Sequence, residues 1–136
     1  MPTNVTVASG PAVSIGEAAQ EANCRPSTLR YYESVGVLPA IPRDHGQRRY
    51  SPEHIDRIQL IRRARALGFS MRDLTRLIDG FAPGTPASAR WEDLAPAKIA
   101  EIDELLADLQ NRRKLLQHLA KCTCPDLADC ARQISA

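Results

Sequence analysis

The chain has 136 residues, enough for one small domain with an appended helix, and a formal charge of +2 from 18 Lys and Arg against 16 Asp and Glu. No stretch approaches the roughly 18 apolar residues of a membrane span, and the N-terminus shows neither a charged start nor an apolar run, so a membrane protein or secretory precursor is not expected. The charge is unevenly laid: residues 25–76 carry eleven Arg, no Lys and five acids, whereas the remainder is net acidic, as in a nucleic-acid-binding module joined to a separate partner module.

Residues 1–12 lack periodicity and read as a flexible leader. From Val13 to Gly80 the pattern is that of a winged helix-turn-helix DNA-binding domain, mainly α. Ser14 with Glu17 forms a capping box before a short helix whose apolar face is Ile15, Ala18, Ala19 and Ala22. Asn23-Cys24-Arg25 makes the turn, Pro26 opens a second helix, and Gly36 stops it. The polar run from Leu38 to Tyr50, with Pro39, Pro42 and Gly46, reads as a hairpin wing turning near Asp44-His45-Gly46. Ser51-Pro52 starts a third helix with apolar positions Ile55, Ile58, Leu60, Ile61 and Leu67. Ser70 caps a fourth with Met71, Leu74, Leu77 and Ile78 facing inward.

These elements nominate DNA-contacting residues. Arg30 on the second helix can reach phosphate or a guanine edge, and Tyr31 can donate its hydroxyl to phosphate, while Tyr32 is expected to face the core. Ser27 and Thr28 are short hydroxyls near the helix start, suited to bases or phosphate, with Ser27 open to a capping role. Arg43, Arg48 and Arg49 on the wing are expected phosphate clamps. Tyr50 stands between core anchor and phosphate donor.

Residues 81–90 read as a linker. Residues 91–121 carry Leu94, Ile99, Ile102, Leu105, Leu106, Leu109, Leu115, Leu116 and Leu119 at three- and four-residue steps, with Pro96 expected in the first turn. A helix roughly 40 Å long is too long to bury against so small a domain, so an antiparallel coiled coil with a second copy, a homodimer, is expected. Residues 122–136 form a Cys-rich loop and tail. Three of the four Cys, Cys122, Cys124 and Cys130, fall within nine residues; in a cytoplasmic chain, where thiols stay reduced, this points to metal or redox chemistry and not to disulfides. Thiolates are soft ligands for Cu(I), Ag(I), Zn, Cd, Hg or an iron–sulfur centre. Cys24, in the helix-turn-helix turn, reads as a small buried residue, and His45, His54 and His118 read as surface residues. No C-x-x-C, nucleophile–base pair or phosphate loop supports an enzyme.

The runs Ser27-Thr28-Leu29-Arg30-Tyr31-Tyr32-Glu33, Gly46-Gln47-Arg48-Arg49-Tyr50 and Ile61-Arg62-Arg63-Ala64-Arg65-Ala66-Leu67-Gly68-Phe69-Ser70 appear in this order, and through them the chain resembles the MerR family of bacterial transcription regulators over about residues 13–130. Gln47 departs from the family, which often has an aromatic there, but still offers a phosphate contact. The resemblance implies a homodimer on double-stranded promoter DNA, acting with RNA polymerase by distorting an overlong promoter spacer when an inducer binds. Two branches are similar at the C-terminus. The copper-sensing (CueR-like) branch has two loop Cys with seven residues between them, as Cys122 and Cys130 are spaced. It also has a Ser at the start of the dimerisation helix, where Ser88 falls and where the mercury, zinc and lead branches have a third Cys; Ser88 would neighbour the metal site of the partner chain. This favours Cu(I) or Ag(I) over Zn, Hg or Cd. The redox (SoxR-like) branch holds a 2Fe–2S cluster through C-x2-C-x-C-x5-C; Cys122, Cys124 and Cys130 match the last three, but Leu119 stands at the first, so one of the four ligands is missing. A metal-free thiol switch and a constitutive architectural DNA-binding protein remain alternatives.

Overall fold

The computed structural model describes residues 10–135. Most of the expected leader lies outside them; Gly10, Pro11 and Ala12 are exposed. The order is α1 (Ile15–Glu21), α2 (Pro26–Ser34), β1 (Arg43–Asp44), β2 (Gln47–Arg48), α3 (Pro52–Ala66), α4 (Met71–Asp79), α5 (Ala87–Leu119) and α6 (Leu127–Ile134). The chain divides into two compact units, one up to Leu94 and one from Ala95.

In the first unit, side-chain caps start α1, α3 and α4. Ser14–Glu17, Ser51–His54 and Ser70–Asp73 each close a reciprocal capping box, satisfying amides that would otherwise lack partners. The small side chains of Ala18, Ala19 and Ala22 are buried on α1 and pack it against α2, which buries Leu29 and Tyr32. Gly36, at φ 84°, takes the left-handed conformation that ends α2. The wing is a two-stranded hairpin pairing Arg43 with Arg48 and Asp44 with Gln47. Its turn residues His45 and Gly46 have φ 49° and 78°, the doubly positive pattern that suits strand twist and that Gly adopts without strain. Val13 and Tyr50 exchange backbone hydrogen bonds of 2.9 and 2.8 Å and anchor the base of the wing.

The core gathers Leu29, Tyr32, Val37, Leu38, Ile41, Tyr50, Ile55, Ile58, Ile61, Ala64, Phe69, Leu74, Leu77 and Leu94. Two apolar positions expected for the third helix are not in it: Leu60 on α3 and Leu67 at its C-cap are exposed, and Ala64 is buried instead. The buried positions of α3 run in steps of three and so drift around the helix, which a fixed stripe does not capture. Arg90 at the start of α5 donates to the carbonyls of Leu77 and Ile78 at 2.8 and 2.6 Å and to that of Thr85 at 3.1 Å, satisfying the C-terminal end of α4. Trp91 meets Phe69 edge-on at 5.6 Å.

His54 is half-buried and structural, a correction to its reading as a surface residue. Its Nδ1 accepts from the Ser51 amide at 3.0 Å, which requires the neutral ring. Burial pushes its pKa below the ordinary imidazole value; Glu53 pulls it up, and Arg57 pushes it down further. A lowered folded-state pKa means that the unfolded chain binds the proton more readily, so this contribution is present above about pH 6.5 and is lost as pH falls through the folded value. Stability to urea is expected to decline from pH 7 to pH 5, and His54→Gln, which keeps an acceptor that does not titrate, should remove that component of the decline.

The second unit contains most of α5. This helix starts four residues before Trp91 and takes in the end of the expected linker; the Arg90 amide donates to the Pro86 carbonyl at 3.3 Å as its first bond. Its 33 residues span about 50 Å. Pro96 lies inside it and not in the first turn. There it has no amide to offer the preceding turn, at a cost of about 3 kcal/mol. Ile99, Ile102, Leu105, Leu106, Leu109, Leu115 and Leu116 are between 41% and 66% exposed. α6 replaces what was expected to be loop and tail: the Asp126 side chain accepts from the Asp129 amide at 2.9 Å and starts the helix. Among the described residues, no helix is long and apolar enough to cross a membrane.

Candidate functional site

Two sites stand out, one in each unit. The first is the face formed by α2 and the wing. Because α2 buries Leu29 and Tyr32, Arg30 and Tyr31 are turned outward, and Tyr31 is 51% exposed. Ser27 is exposed and Thr28 half-buried. Arg25 is the N-cap of α2 and makes no side-chain cap bond, so the Ser27 hydroxyl is not the cap. On the wing Arg43 and Gln47 are exposed, and Arg49 is half-buried. A cleft of about 400 Å³ opens between α1, α2 and the wing, with Arg30, Gln47 and Arg48 on its wall. It is wide enough for a phosphate and lined by its natural donors.

Two wing residues behave differently from the sequence expectation. Tyr50 is fully buried, its hydroxyl has no hydrogen-bond partner among the described residues, and burial pushes its pKa up. Of the two roles left open for Tyr50, this burial supports the core anchor. Arg48 is not a free clamp, because its Nε donates to Glu33 Oε2 at 2.8 Å and its side chain is only 23% exposed. Glu33 was missed by sequence reasoning, as nothing local pairs it with a residue fifteen positions away. The Arg count also overstated the free cationic surface. Arg62 donates to the Ala22 carbonyl at the end of α1, Arg65 to the Phe69 carbonyl, and Arg76 pairs with Asp93 at 2.8 Å.

The second site is the thiol cluster. The Cys122 amide donates to the Leu119 carbonyl as α5 ends, Pro125 and Asp126 reverse the chain, and α6 brings back Cys130. The sulfurs of Cys122, Cys124 and Cys130 all lie within 4.8 Å of one another. Cys122 is exposed and the other two are half-buried. The Cys124 amide, and then its thiol, donate hydrogen bonds to the Cys122 sulfur and hold its pKa below the ordinary thiol value, while Cys124 is pushed up as the donor. The hydrogen bonds thus favour the thiolate on Cys122 over Cys124. Ser88 lies exposed in the first turn of α5, and His118 is exposed in its last turn. Cys24 is half-buried in the first unit beside Arg62, and burial raises its pKa.

A recognition helix beside a basic wing, with a soft-ligand cluster at the far end of the chain, defines a DNA-binding regulator. Residues 13–80 match the family profile described as "MerR HTH family regulatory protein", and residues 55–119 match "MerR, DNA binding". The chain is 32% identical over 119 residues to the transcriptional regulator HmrR of Rhizobium leguminosarum bv. viciae, covering 87% of this chain and 92% of that one. It is 31% identical over 121 residues to the transcriptional regulator CueR of Salmonella typhimurium, covering 87% of both. Among solved structures, the transcription regulator PbrR691 from Ralstonia metallidurans CH34 in complex with lead(II) superposes with a TM-score of 0.69 at 28% identity, over 84% of this chain and 90% of that one. The chain belongs to the MerR family of transcription regulators.

Proposed function

We propose that the protein is a metal-responsive promoter switch. In this reading two copies join through the exposed apolar stripe of α5. Each sets α2 in a major groove of double-stranded promoter DNA and its wing on the flanking phosphates, with Ser27, Thr28, Arg30, Tyr31, Arg43, Gln47, Arg48 and Arg49 as the contacts. A thiophilic ion held by Cys122, Cys124 and Cys130, with Ser88 of the partner subunit nearby, is the signal. The liganded dimer distorts an overlong promoter spacer so that RNA polymerase can use it.

The observation that carries the reading is the convergence of three sulfurs within 4.8 Å. A common point among them lies within reach of metal–thiolate bonds of about 2.3 Å after small side-chain rotations. The donors are sulfur, with no carboxylate or imidazole in the cluster, and such a set selects soft ions: Cu(I) and Ag(I) first, with Hg(II), Cd(II) and Zn(II) as competitors. A complete iron–sulfur set would need a fourth Cys, and Leu119 holds that place.

The test is an anaerobic titration of the reduced protein with Cu(I), Ag(I), Zn(II) and Hg(II) against a competing chelator, alongside the Cys122→Ser/Cys130→Ser double variant. Tight binding of one ion per chain is expected, with Cu(I) or Ag(I) preferred. Loss of an outer-sphere partner alone costs about 10- to 100-fold in metal affinity, so removing two ligands should cost more than about a hundredfold. Wild-type protein that loses every ion to the chelator would sink the metal reading.

A further inference from the structure

The Glu33–Arg48 pair carries an inference that affinity alone would not suggest. A carboxylate beside a polyanion is repelled, and a DNA-facing surface gains affinity by being without one. Glu33 nevertheless stands one turn beyond Arg30 on α2, with its oxygen on Arg48 Nε at 2.8 Å. The two side chains are 20% and 23% exposed, so the pair is more shielded than the exposed ion pairs that contribute almost nothing. It joins the recognition helix to the wing across fifteen residues of sequence. The wing needs such a tie. Each of its strands is two residues long, and an isolated hairpin of that size has little stiffness. The Val13–Tyr50 bridge holds its base, and Glu33 holds its body. With Nε committed to Glu33, the terminal amino groups of Arg48 are left for the cleft that Arg48 shares with Arg30 and Gln47.

We propose that Glu33 is a positioning residue for sequence recognition: by holding Arg48 it fixes the wing against α2, so that the wing's grip on phosphate sets the register of α2 in the groove. Phosphate contacts position and base contacts specify, and this pair ties the first to the second. Glu33 thereby contributes specificity at the expense of sequence-independent affinity. The inference rests on the assignment of α2 and the wing as the DNA interface.

The experiment compares binding to a duplex selected by the wild-type protein from a random-sequence pool with binding to a scrambled duplex of the same composition, each across a range of salt concentrations. Arg48→Ala should weaken both and flatten the slope of log affinity against log salt by about one unit. Glu33→Ala should leave scrambled-duplex affinity unchanged or higher, weaken the selected duplex, and lower the ratio of the two by about tenfold, which is about 1.4 kcal/mol. In the Glu33→Ala/Arg48→Ala double variant the ratio should fall no further than in the worse single variant, because both act through one contact. Glu33→Gln keeps the shape and the acceptor; it should raise scrambled-duplex affinity and lower the ratio by only about threefold. It also serves if circular dichroism shows that Glu33→Ala does not fold. A parallel loss on both duplexes, or a ratio unchanged in the Glu33 variants while Arg48→Ala weakens binding, overturns the positioning role. An Arg48→Ala protein with unaltered affinity and salt slope overturns the interface assignment itself.

Discussion

In the dimer proposed above, replacing Leu105 and Leu109 together by Glu is expected to leave a monomer in sedimentation experiments without loss of helical circular dichroism. The two residues stand one turn apart on α5 and are 57% and 49% exposed, although a lone chain would hide such side chains if it could. In a two-fold interface each position counts twice, so two substitutions delete four buried leucines at about 1.5–3 kcal/mol apiece and install four carboxylates. Glu is a good helix former, so α5 itself should survive. The consequence for DNA is larger than the change in any single contact. Two linked recognition helices engage two half-sites with an avidity about 10²- to 10⁴-fold beyond one alone, and the monomer should lose that factor on a duplex selected by the wild type. A variant that still sediments as a dimer would show that the apolar stripe serves some other contact.

The parts legible in the sequence are those that local chemistry encodes. Ser14, Ser51 and Ser70 announce three helices because a cap needs only residues three apart. Asp44-His45-Gly46 announces the hairpin because few residues tolerate two consecutive positive φ values. Tyr32 is expected to face the core from α2, and it is buried while Tyr31 is exposed. What was not legible depends on neighbours distant in sequence. Leu60 and Leu67 look as apolar as Ile58 and Ile61, and only the placement of α4 and the α1–α2 pair decides which are covered. Arg48, Arg62 and Arg65 look like free cations until their acceptors, Glu33 and two carbonyls, are located. The three clustered cysteines stood out as candidate ligands, but their convergence was not legible, because it depends on α6. That helix does leave a signal in the Asp126–Asp129 cap, which the nearby cysteines overshadowed. Pro96 went the other way: its intrinsic cost argued for the first turn, yet the helix continues through it, an instance of local preference losing to the rest of the element.

Tyr50 offers the sharpest separation of a structural from a DNA-binding role, and the two substitutions that test it should move in opposite directions. Its ring is completely buried and meets His54 edge-on at 6.4 Å, and its backbone bridges to Val13 at the base of the wing. Its hydroxyl has no hydrogen-bond partner among the described residues. A buried polar group without a partner costs about 1–3 kcal/mol, whereas the ring belongs to the class of side chains whose removal from a core costs about 3–5 kcal/mol. Tyr50→Phe is therefore expected to raise stability to urea by about 1 kcal/mol, the lower end of that penalty, with affinity and salt slope on DNA unchanged. Tyr50→Ala should destabilise by about 4 kcal/mol, a large fraction of the total for a domain of this size, and should weaken DNA binding only through the unfolded fraction and a loosened wing. If the hydroxyl instead donated to a phosphate, Tyr50→Phe would lose affinity on every duplex at unchanged stability. That result would move Tyr50 from the core to the DNA face, and it would require the base of the wing to open when DNA binds.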